Sequence, residues 1–266
     1  MPTAPVASGE IQYELHGEGT PLLLVAGLGG VAAYWQPQLE AYARHYRVLT
    51  YDHRGCGRSA RSKGLYTVDE MTGDLLSLMD HLEIEKAHLL GHSTGGAIGQ
   101  TLAVTHPERL LSLTLYSSWT RTDAFMRRSM ETRKTLLETA GVDAYIKATP
   151  LFLYPDWWIN GSPEKLAALD AATRASFPPV EIAAKRCQAV IDFDRVEELN
   201  RITAPTHVLC AKDDFLTPFY FSEELARRIP GARLTALARG GHAASQIEQE
   251  AFDRAVLDFL ASVEKA

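Results

Sequence analysis

The sequence predicts an α/β fold in which a mostly parallel sheet carries helices on both faces and an inserted helical cap. Short apolar runs alternate with amphipathic stretches along most of the chain, and one long region contains no convincing strand. A chain of 266 residues is long enough for one large domain with such an insertion. Strand–helix alternation implies right-handed crossovers, which place successive strands parallel to one another.

Apolar runs bounded by turn residues have the length and composition of strands. They lie at 11–17, 21–27, 47–52, 87–91, 112–118, 206–211 and 232–237. Only the turn-like residues Glu18, Gly19 and Thr20 separate the first two runs, so we expect these two strands to form a hairpin.

Helical periodicity marks the stretches between several of these strands. In residues 67–82, Leu75, Leu78, Met79 and Leu82 share one face. The stretches 219–229 and 249–263 show the same periodicity, and 94–106 is expected to continue as a helix after its strand.

Residues 121–195 break the alternation, because they combine helical patterns, several prolines and the aromatic run "PLFLYPDWW" at 150–158. We therefore predict a core formed by 1–120 and 196–266, with a cap formed by 121–195. A helical insertion between two strands covers the carboxyl edge of the sheet, where open α/β sheets bind ligands.

Composition and charge exclude several classes of protein. The net charge of −6 argues against a nucleic-acid surface, and the basic residues between Arg121 and Lys134 alternate with apolar ones as on a solvated helix face. No apolar run approaches the roughly 18 residues of a membrane helix. We expect no membrane association and no nucleic-acid partner.

Three cysteines, Cys56, Cys187 and Cys210, are too few and too widely spaced for a disulfide framework or a zinc site. Residues 1–10 show neither the charged segment nor the apolar segment of a signal peptide. These features predict a cytoplasmic protein with reduced thiols and no metal.

Residues 89–99, "LLGHSTGGAIG", place Ser93 between an apolar strand and a helix. In the pattern G-x-S-x-G, the small residues Gly91 and Gly95 permit a strained turn that lifts the serine hydroxyl above the sheet edge. Backbone N–H groups at the start of the following helix can then face a developing oxyanion. The alternative is an ordinary loop between strand and helix that tolerates small residues.

A serine nucleophile needs a base, and the base needs an orienting carboxylate. Asp213 and Asp214 follow one downstream strand, and His242 follows the next, so the required order of serine, acid and histidine is present. Taken singly, the aspartates can form a turn before Pro218 and the histidine can be a loop residue. Their joint occurrence in this order favours a catalytic triad.

Three motifs together resemble those of α/β-hydrolases over essentially the whole chain. "LLLVAGLGG" at 22–30 is similar to the strand and oxyanion loop of that family, "YDHRGCGRS" at 51–59 to its D-x-R-G-x-G-x-S turn, and "GHSTGG" at 91–96 to its nucleophile elbow. In the family the acid commonly lies four residues before a proline. The resemblance therefore selects Asp214 as the acid and His242 as the base.

Within that superfamily, the stretches 26–39 and 150–158 look most like the pyrimidine-utilisation D family of aminoacrylate hydrolases. The 3-oxoadipate enol-lactonases and the cofactor-free haloperoxidase-like esterases are nearly as similar. Two positions depart from the relatives: Ala26 replaces a frequent histidine before the oxyanion loop, and Thr94 replaces the methionine of enol-lactonases. The second departure argues against a narrow lactonase assignment.

The reaction implied is a two-step acyl transfer in which Ser93 attacks a carbonyl and His242 moves the protons. We expect the backbone N–H groups of Leu28 and Thr94 to form the oxyanion hole, and no cofactor is implied. The expected partners are a small-molecule substrate and a second copy of the chain in a homodimer. Pocket contacts are assigned to Trp35, Trp157 and Trp158, although aromatic residues also fill cores.

Other polar residues near these motifs have structural interpretations. His92 is expected to pack under the elbow, and Asp52 and Arg54 are expected to brace the loop after their strand. Asp123 is the alternative acid, but it lies well past the end of its strand.

Two other functions stay open on the same residues. One is a cofactor-free dioxygenase or C–C bond hydrolase, in which the histidine–aspartate pair deprotonates the substrate. The other is a ligand receptor with slow turnover, because a fold does not determine its function.

Overall fold

The computed structural model describes residues 2–7, 9–62 and 64–265 and contains one eight-stranded sheet. Its strands are β1 (Thr3–Val6), β2 (Gly9–His16), β3 (Pro21–Val25), β4 (Arg47–Tyr51), β5 (Ala87–His92), β6 (Leu110–Tyr116), β7 (Thr206–Ala211) and β8 (Arg233–Leu237). The strand order is β1-β2-β4-β3-β5-β6-β7-β8. All pairings are parallel from β4 through β8, which confirms the predicted α/β fold.

The predicted hairpin between the first two apolar runs is wrong. Strand β2 pairs with β1 on one side and with β4 on the other, antiparallel in both cases, with Tyr13 opposite Tyr51. Strand β3 instead lies between β4 and β5 and pairs parallel with both. Its residues Leu22–Val25 are fully buried, so the central position gives β3 two covered faces.

Helices cover both faces of the sheet. They are α1 (Gln36–Ala43), α2 (Val68–His81), α3 (Thr94–Thr105), α4 (Ala124–Thr135), α5 (Gly141–Leu153), α6 (Asp156–Gly161), α7 (Pro163–Ser176), α8 (Val180–Asp192), α9 (Phe219–Arg228), α10 (Ala244–Ile247) and α11 (Gln249–Glu264). One apolar cluster joins α1 and α11 to the sheet, and a second joins α2, α3, α9 and α8 to it. None of the helices among the described residues has the length and apolarity needed to span a membrane.

Local sequence explains where several helices begin. The Thr67 side chain accepts a hydrogen bond from the N–H of Glu70 at 3.2 Å, which satisfies one free donor at the start of α2. Asp123 does the same for α4 by accepting from the N–H of Met126 at 2.8 Å. Asp123 is therefore a helix cap in this structure.

Helices α4–α8 occupy the chain between β6 and β7, and no strand is found in that stretch of the described residues. The two ends of the segment meet in an isolated bridge between Arg121 and Asp194. The N–H of Arg195 also donates to the carbonyl of Thr120 at 3.0 Å. These contacts lie at the predicted boundaries of the cap, a name we use below for residues 121–195.

Candidate active site

Ser93 occupies a strained turn between β5 and α3. Its φ of +53° lies in the left-handed region that a residue with a side chain seldom adopts, at a cost of about 1–3 kcal/mol. The Ser93 N–H donates to the carbonyl of Tyr116 at 2.8 Å, and the Ser118 hydroxyl donates to the Ser93 carbonyl at 3.1 Å. Strand β6 and the residues just after it thus hold the turn from both sides.

The glycines around Ser93 are required by close backbone contacts. A Cβ atom on Gly91 would lie 2.3 Å from the carbonyl oxygen of Gly95, and one on Gly95 would lie 2.1 Å from that of Val25. Both distances are far below van der Waals contact, so neither position accepts a side chain without backbone movement. This explains the two fixed glycines of the pattern G-x-S-x-G.

Asp214 and His242 form a buried pair after β7 and β8. The Nδ1 atom of His242 lies 3.0 Å from Oδ2 and 3.2 Å from Oδ1 of Asp214. The Thr217 N–H donates to Asp214 Oδ1 at 2.9 Å, and the Thr217 hydroxyl lies 2.9 Å from Oδ2 and 3.1 Å from His242 Nδ1. Because a carboxylate only accepts, His242 donates from Nδ1, which leaves its Nε2 free to take a proton.

Two aromatic neighbours hold the backbone of His242. The His242 carbonyl accepts hydrogen bonds from His92 Nε2 and from the Tyr116 hydroxyl, both at 3.0 Å. The His92 ring is stacked between Tyr34 and Tyr116, with centroids 4.5 and 4.7 Å apart. Since Ser93 directly follows His92, this contact brings the serine and the histidine loop together.

The backbone N–H groups of Leu28 and Thr94 lie at the same edge of the sheet, because the two residues follow the parallel neighbours β3 and β5. Leu28 lies in a turn after β3 that is closed by the Gly30 N–H donating to the Gly27 carbonyl at 2.9 Å. A Cβ atom on Gly27 would lie 3.2 Å from the Cβ of Ser93, so this turn borders the serine. In the described part of the chain, neither N–H has an acceptor. The oxyanion role of these two groups stays a prediction that this geometry supports.

The three tryptophans lie in different environments. Trp35 has no exposed surface, belongs to the core cluster of α1 and α11, and faces His92 edge-on. We therefore assign Trp35 to the core rather than to the predicted pocket wall. Trp157 is 42 % exposed with the Arg239 guanidinium over its ring, and Trp158 stacks on Tyr154. The pocket roles of Trp157 and Trp158 stay predictions.

Sequence reasoning missed Phe215, which directly follows the predicted acid Asp214, and Thr217, which is hydrogen-bonded to it. The Phe215 ring is 52 % exposed and contacts Phe125 of α4 and Phe152 of α5, with centroids 5.3 and 6.1 Å apart. An apolar residue directly after the acid is the signal that points to it. These three rings connect the acid loop to the cap.

The remaining candidates have structural contacts. Asp123 caps α4 and accepts from the Tyr220 hydroxyl at 2.6 Å. Asp52 accepts from the N–H groups of Ala32 and Arg58, at 2.8 and 2.9 Å. Arg54 forms a buried bidentate pair with Asp74, at 2.5 and 2.7 Å. Within residues 2–7, 9–62 and 64–265, no cluster of three or more His, Cys, Asp or Glu side chains is arranged to hold a metal ion.

Buried histidines make the stability of the fold dependent on pH. Burial lowers the pKa of His53 and His92 well below the usual value, with further lowering by Arg186 and His242 respectively. Burial also lowers the pKa of His88, and burial with the charge of Arg233 lowers that of His207 to about 4. All four are therefore neutral in the folded protein at pH 7.

We expect the free energy of unfolding to fall as the pH drops below about 6.5. The histidines of the unfolded chain then bind protons, whereas the same histidines stay unprotonated in the folded protein. The limiting slope is about 1.4 kcal/mol per pH unit for each histidine that stays neutral in the folded protein. Urea titrations between pH 7.5 and 5.5 measure how the free energy of unfolding changes with pH. In His207→Asn this pH dependence should be smaller by the contribution of about one proton. Equal stability across this range would contradict the prediction.

Comparisons with known proteins agree with the α/β fold. The α/β-hydrolase fold family matches residues 20–151. A protein of Azorhizobium caulinodans named "Putative carbamate hydrolase RutD" is 42% identical over 100% of both chains. The crystal structure of the enol-lactonase from Burkholderia xenovorans LB400 covers 98% of this chain and 100% of its own, with 31% identity and a TM-score of 0.91.

A third similar structure is that of the "Putative non-heme bromoperoxidase BpoC" from Mycobacterium tuberculosis H37Rv. It is 27% identical, covers 95% of this chain and 96% of its own, and has a TM-score of 0.85. The resemblances drawn from the sequence motifs are thereby confirmed, and the chain is a hydrolase that belongs to the α/β-hydrolase family.

Proposed function

We propose that this protein is a serine hydrolase that cleaves a small carboxylic ester, lactone or activated amide through an acyl-enzyme on Ser93. The observation that carries the proposal is the buried Asp214–His242 pair, whose histidine loop is hydrogen-bonded to the residue before Ser93. The side chains of Asp214 and His242 are 0 % and 2 % exposed. Shielding from water strengthens the interaction of Asp214 with the imidazolium that forms during acyl transfer.

The reaction proceeds in two displacements. His242 Nε2 takes the proton of the Ser93 hydroxyl as Ser93 Oγ bonds to the substrate carbonyl carbon, and the carbonyl oxygen becomes an oxyanion. The Leu28 and Thr94 N–H groups hold that oxyanion. The leaving group departs with the proton from His242, and a water deprotonated by His242 then releases the acid and restores Ser93.

The names of the relatives narrow the bonds worth testing. A carbamate hydrolase cleaves a carbonyl bound to nitrogen, and an enol-lactonase cleaves one bound to oxygen. Both need an acyl carbonyl beside a leaving group, and both fit the same nucleophile and base. We therefore include short p-nitrophenyl esters, N-alkyl carbamates and small lactones among the candidate substrates.

The cap is expected to restrict the acyl group to small sizes. A Cβ atom on Gly241, next to His242, would lie 2.8 Å from the Leu153 carbonyl and 2.9 Å from Pro155 Cδ, so the link between α5 and α6 rests on the histidine loop. Pockets for small ligands span a few hundred Å³, and we expect acyl groups of about two to six carbons to be preferred.

A chain-length series of p-nitrophenyl esters tests the size and the reaction together. The largest kcat/KM should fall on an acyl group of about two to six carbons, with labelling of Ser93 by a fluorophosphonate detected by mass spectrometry. A preference for about 12 to 16 carbons would contradict the size limit. The absence of both turnover and Ser93 labelling would contradict the serine hydrolase proposal and favour a receptor.

Phe215→Ala, Trp157→Ala and Trp158→Ala are each expected to shift the optimum toward longer acyl groups, because aromatic side chains of the cap and acid loop set the depth of the pocket. The rate of fluorophosphonate labelling should stay close to that of the wild type. Leu151→Ala is the control, since Leu151 is 67 % exposed on α5. A parallel loss of labelling and turnover would instead indicate that the replaced ring supports the fold rather than the pocket.

A further inference from the structure

Arg186 is a buried charge without a carboxylate partner. It lies on α8 of the cap, is only 1 % exposed, and pairs with no Asp or Glu among the described residues. Burying an unpaired guanidinium is costly, so its hydrogen bonds must compensate for the lost hydration.

The guanidinium contacts the backbone of the predicted oxyanion loop, defined as Gly27–Gly30. Arg186 Nε and Nη2 both donate to the carbonyl oxygen of Leu28, at 3.1 and 2.9 Å. Nη2 also lies 3.2 Å from His53 Nδ1, and Nη1 lies 3.5 Å from the carbonyl oxygen of Arg54. One cap side chain therefore links the loop after β3 to the loop after β4.

His53 takes part as an acceptor. A guanidinium has only donors, so Nδ1 of His53 must be unprotonated, and the Arg186–His53 cluster keeps a net positive charge. The backbone N–H of His53 donates to the Gly30 carbonyl at 2.7 Å, which holds the far end of the same loop. At Gly30, where φ is +64°, a Cβ atom would lie 2.7 Å from Arg186 Nη2, so glycine leaves room for the guanidinium.

We propose that Arg186 is a positioning residue, which orients the Leu28 N–H of the oxyanion hole from the cap and places a positive charge behind it. The proposal rests on the proposed serine hydrolase function. The Leu28 N–H shares a planar peptide with the Gly27 carbonyl, which accepts the turn bond from Gly30, and the Leu28 carbonyl of the next peptide accepts from Arg186. Both peptides that flank the Leu28 Cα are therefore held in one orientation. The seating of α8 on the core thereby determines the geometry of acyl transfer.

Arg186→Met removes the donors and the charge but keeps an unbranched side chain. Loss of one oxyanion donor typically costs about 100- to 1000-fold in kcat, and a displaced donor should cost about 10- to 100-fold. KM should change less than about threefold, because a positioning residue acts through the oxyanion loop and not by binding the substrate. Affinity for a short trifluoromethyl ketone, whose hemiketal carries an oxyanion, should fall by the same factor as kcat/KM.

Arg133→Met is the matched control. Arg133 is a second buried arginine of the cap, 4 % exposed, and its Nη2 donates to the Tyr145 hydroxyl at 2.9 Å. We expect a lower Tm in both variants, with kcat preserved within about twofold only in Arg133→Met. Arg186→Lys keeps the charge but loses the planar fork, and it serves as the test protein if Arg186→Met does not fold.

Three results would overturn the proposal. The first is a kcat and ketone affinity of Arg186→Met, or of the lysine variant in its place, equal to those of the wild type. The second is a rise in KM alone, which indicates that Arg186 binds the substrate. The third is a wild type whose Ser93 is neither labelled by a fluorophosphonate nor needed for turnover, which removes the proposed function too, whereas the first two leave it standing.

Discussion

Ser93→Ala is expected to lower kcat for ester hydrolysis by about a million-fold, because members of a triad act as a unit and the remaining rate comes from binding alone. The turn that presents Ser93 is held by bonds to its backbone rather than by its hydroxyl. Within the described residues, the hydroxyl makes no hydrogen bond that the alanine would leave unpaired. The variant should therefore fold with a Tm close to that of the wild type.

The measurement is kcat on the best short p-nitrophenyl ester, together with fluorophosphonate labelling. Ser118→Ala is the control, since its hydroxyl supports the same turn from outside the reaction, and we expect it to lose less than about tenfold. If Ser93→Ala kept more than about a tenth of the wild-type kcat, another group would have to be the nucleophile.

The elements with a clear local pattern could be predicted from the sequence. Strands β2 to β8 are apolar runs between turn residues, and α2, α9 and α11 have an apolar face. Strand β1 has only four residues, includes Pro5 and lies at the sheet edge, so its composition carries no strand signal. The same holds for α1, which has a weakly amphipathic pattern.

Contacts between distant residues were harder to predict. The hairpin expected for β2 and β3 is replaced by pairing of β2 with β4, because the buried central position of β3 outweighs the short connection. Trp35 lies close to the elbow, edge-on to His92, yet its side chain is part of the core. Arg186 meets Leu28 across more than half of the chain, and no local pattern reports such a contact.

The predicted triad shows the opposite case, in which the order of the elements carries most of the information. Ser93, Asp214 and His242 each follow a strand that ends at the same edge, so the order of elements predicts their convergence. The choice between adjacent aspartates needed the family pattern. In the structure, Asp214 meets the His242 ring, while Asp213 accepts from the Gly241 N–H at 2.8 Å.

Asp214→Asn is expected to lower kcat by about ten-thousand-fold, because an amide donor facing His242 Nδ1 stabilises the tautomer whose Nε2 is protonated and cannot take the serine proton. The Asp214 side chain is 0 % exposed, so water cannot restore the lost charge.

Asp213→Asn retains an Oδ1 acceptor for the Gly241 N–H and should lose only about fivefold in kcat. Asp123→Asn, at the cap of α4, provides a second carboxylate control. Because both adjacent variants change one charge at nearly the same place, the difference between their kcat values isolates the contact with the imidazole. Equal losses at the two positions, or a larger loss at Asp213 or Asp123, would show that Asp214 is not the acid.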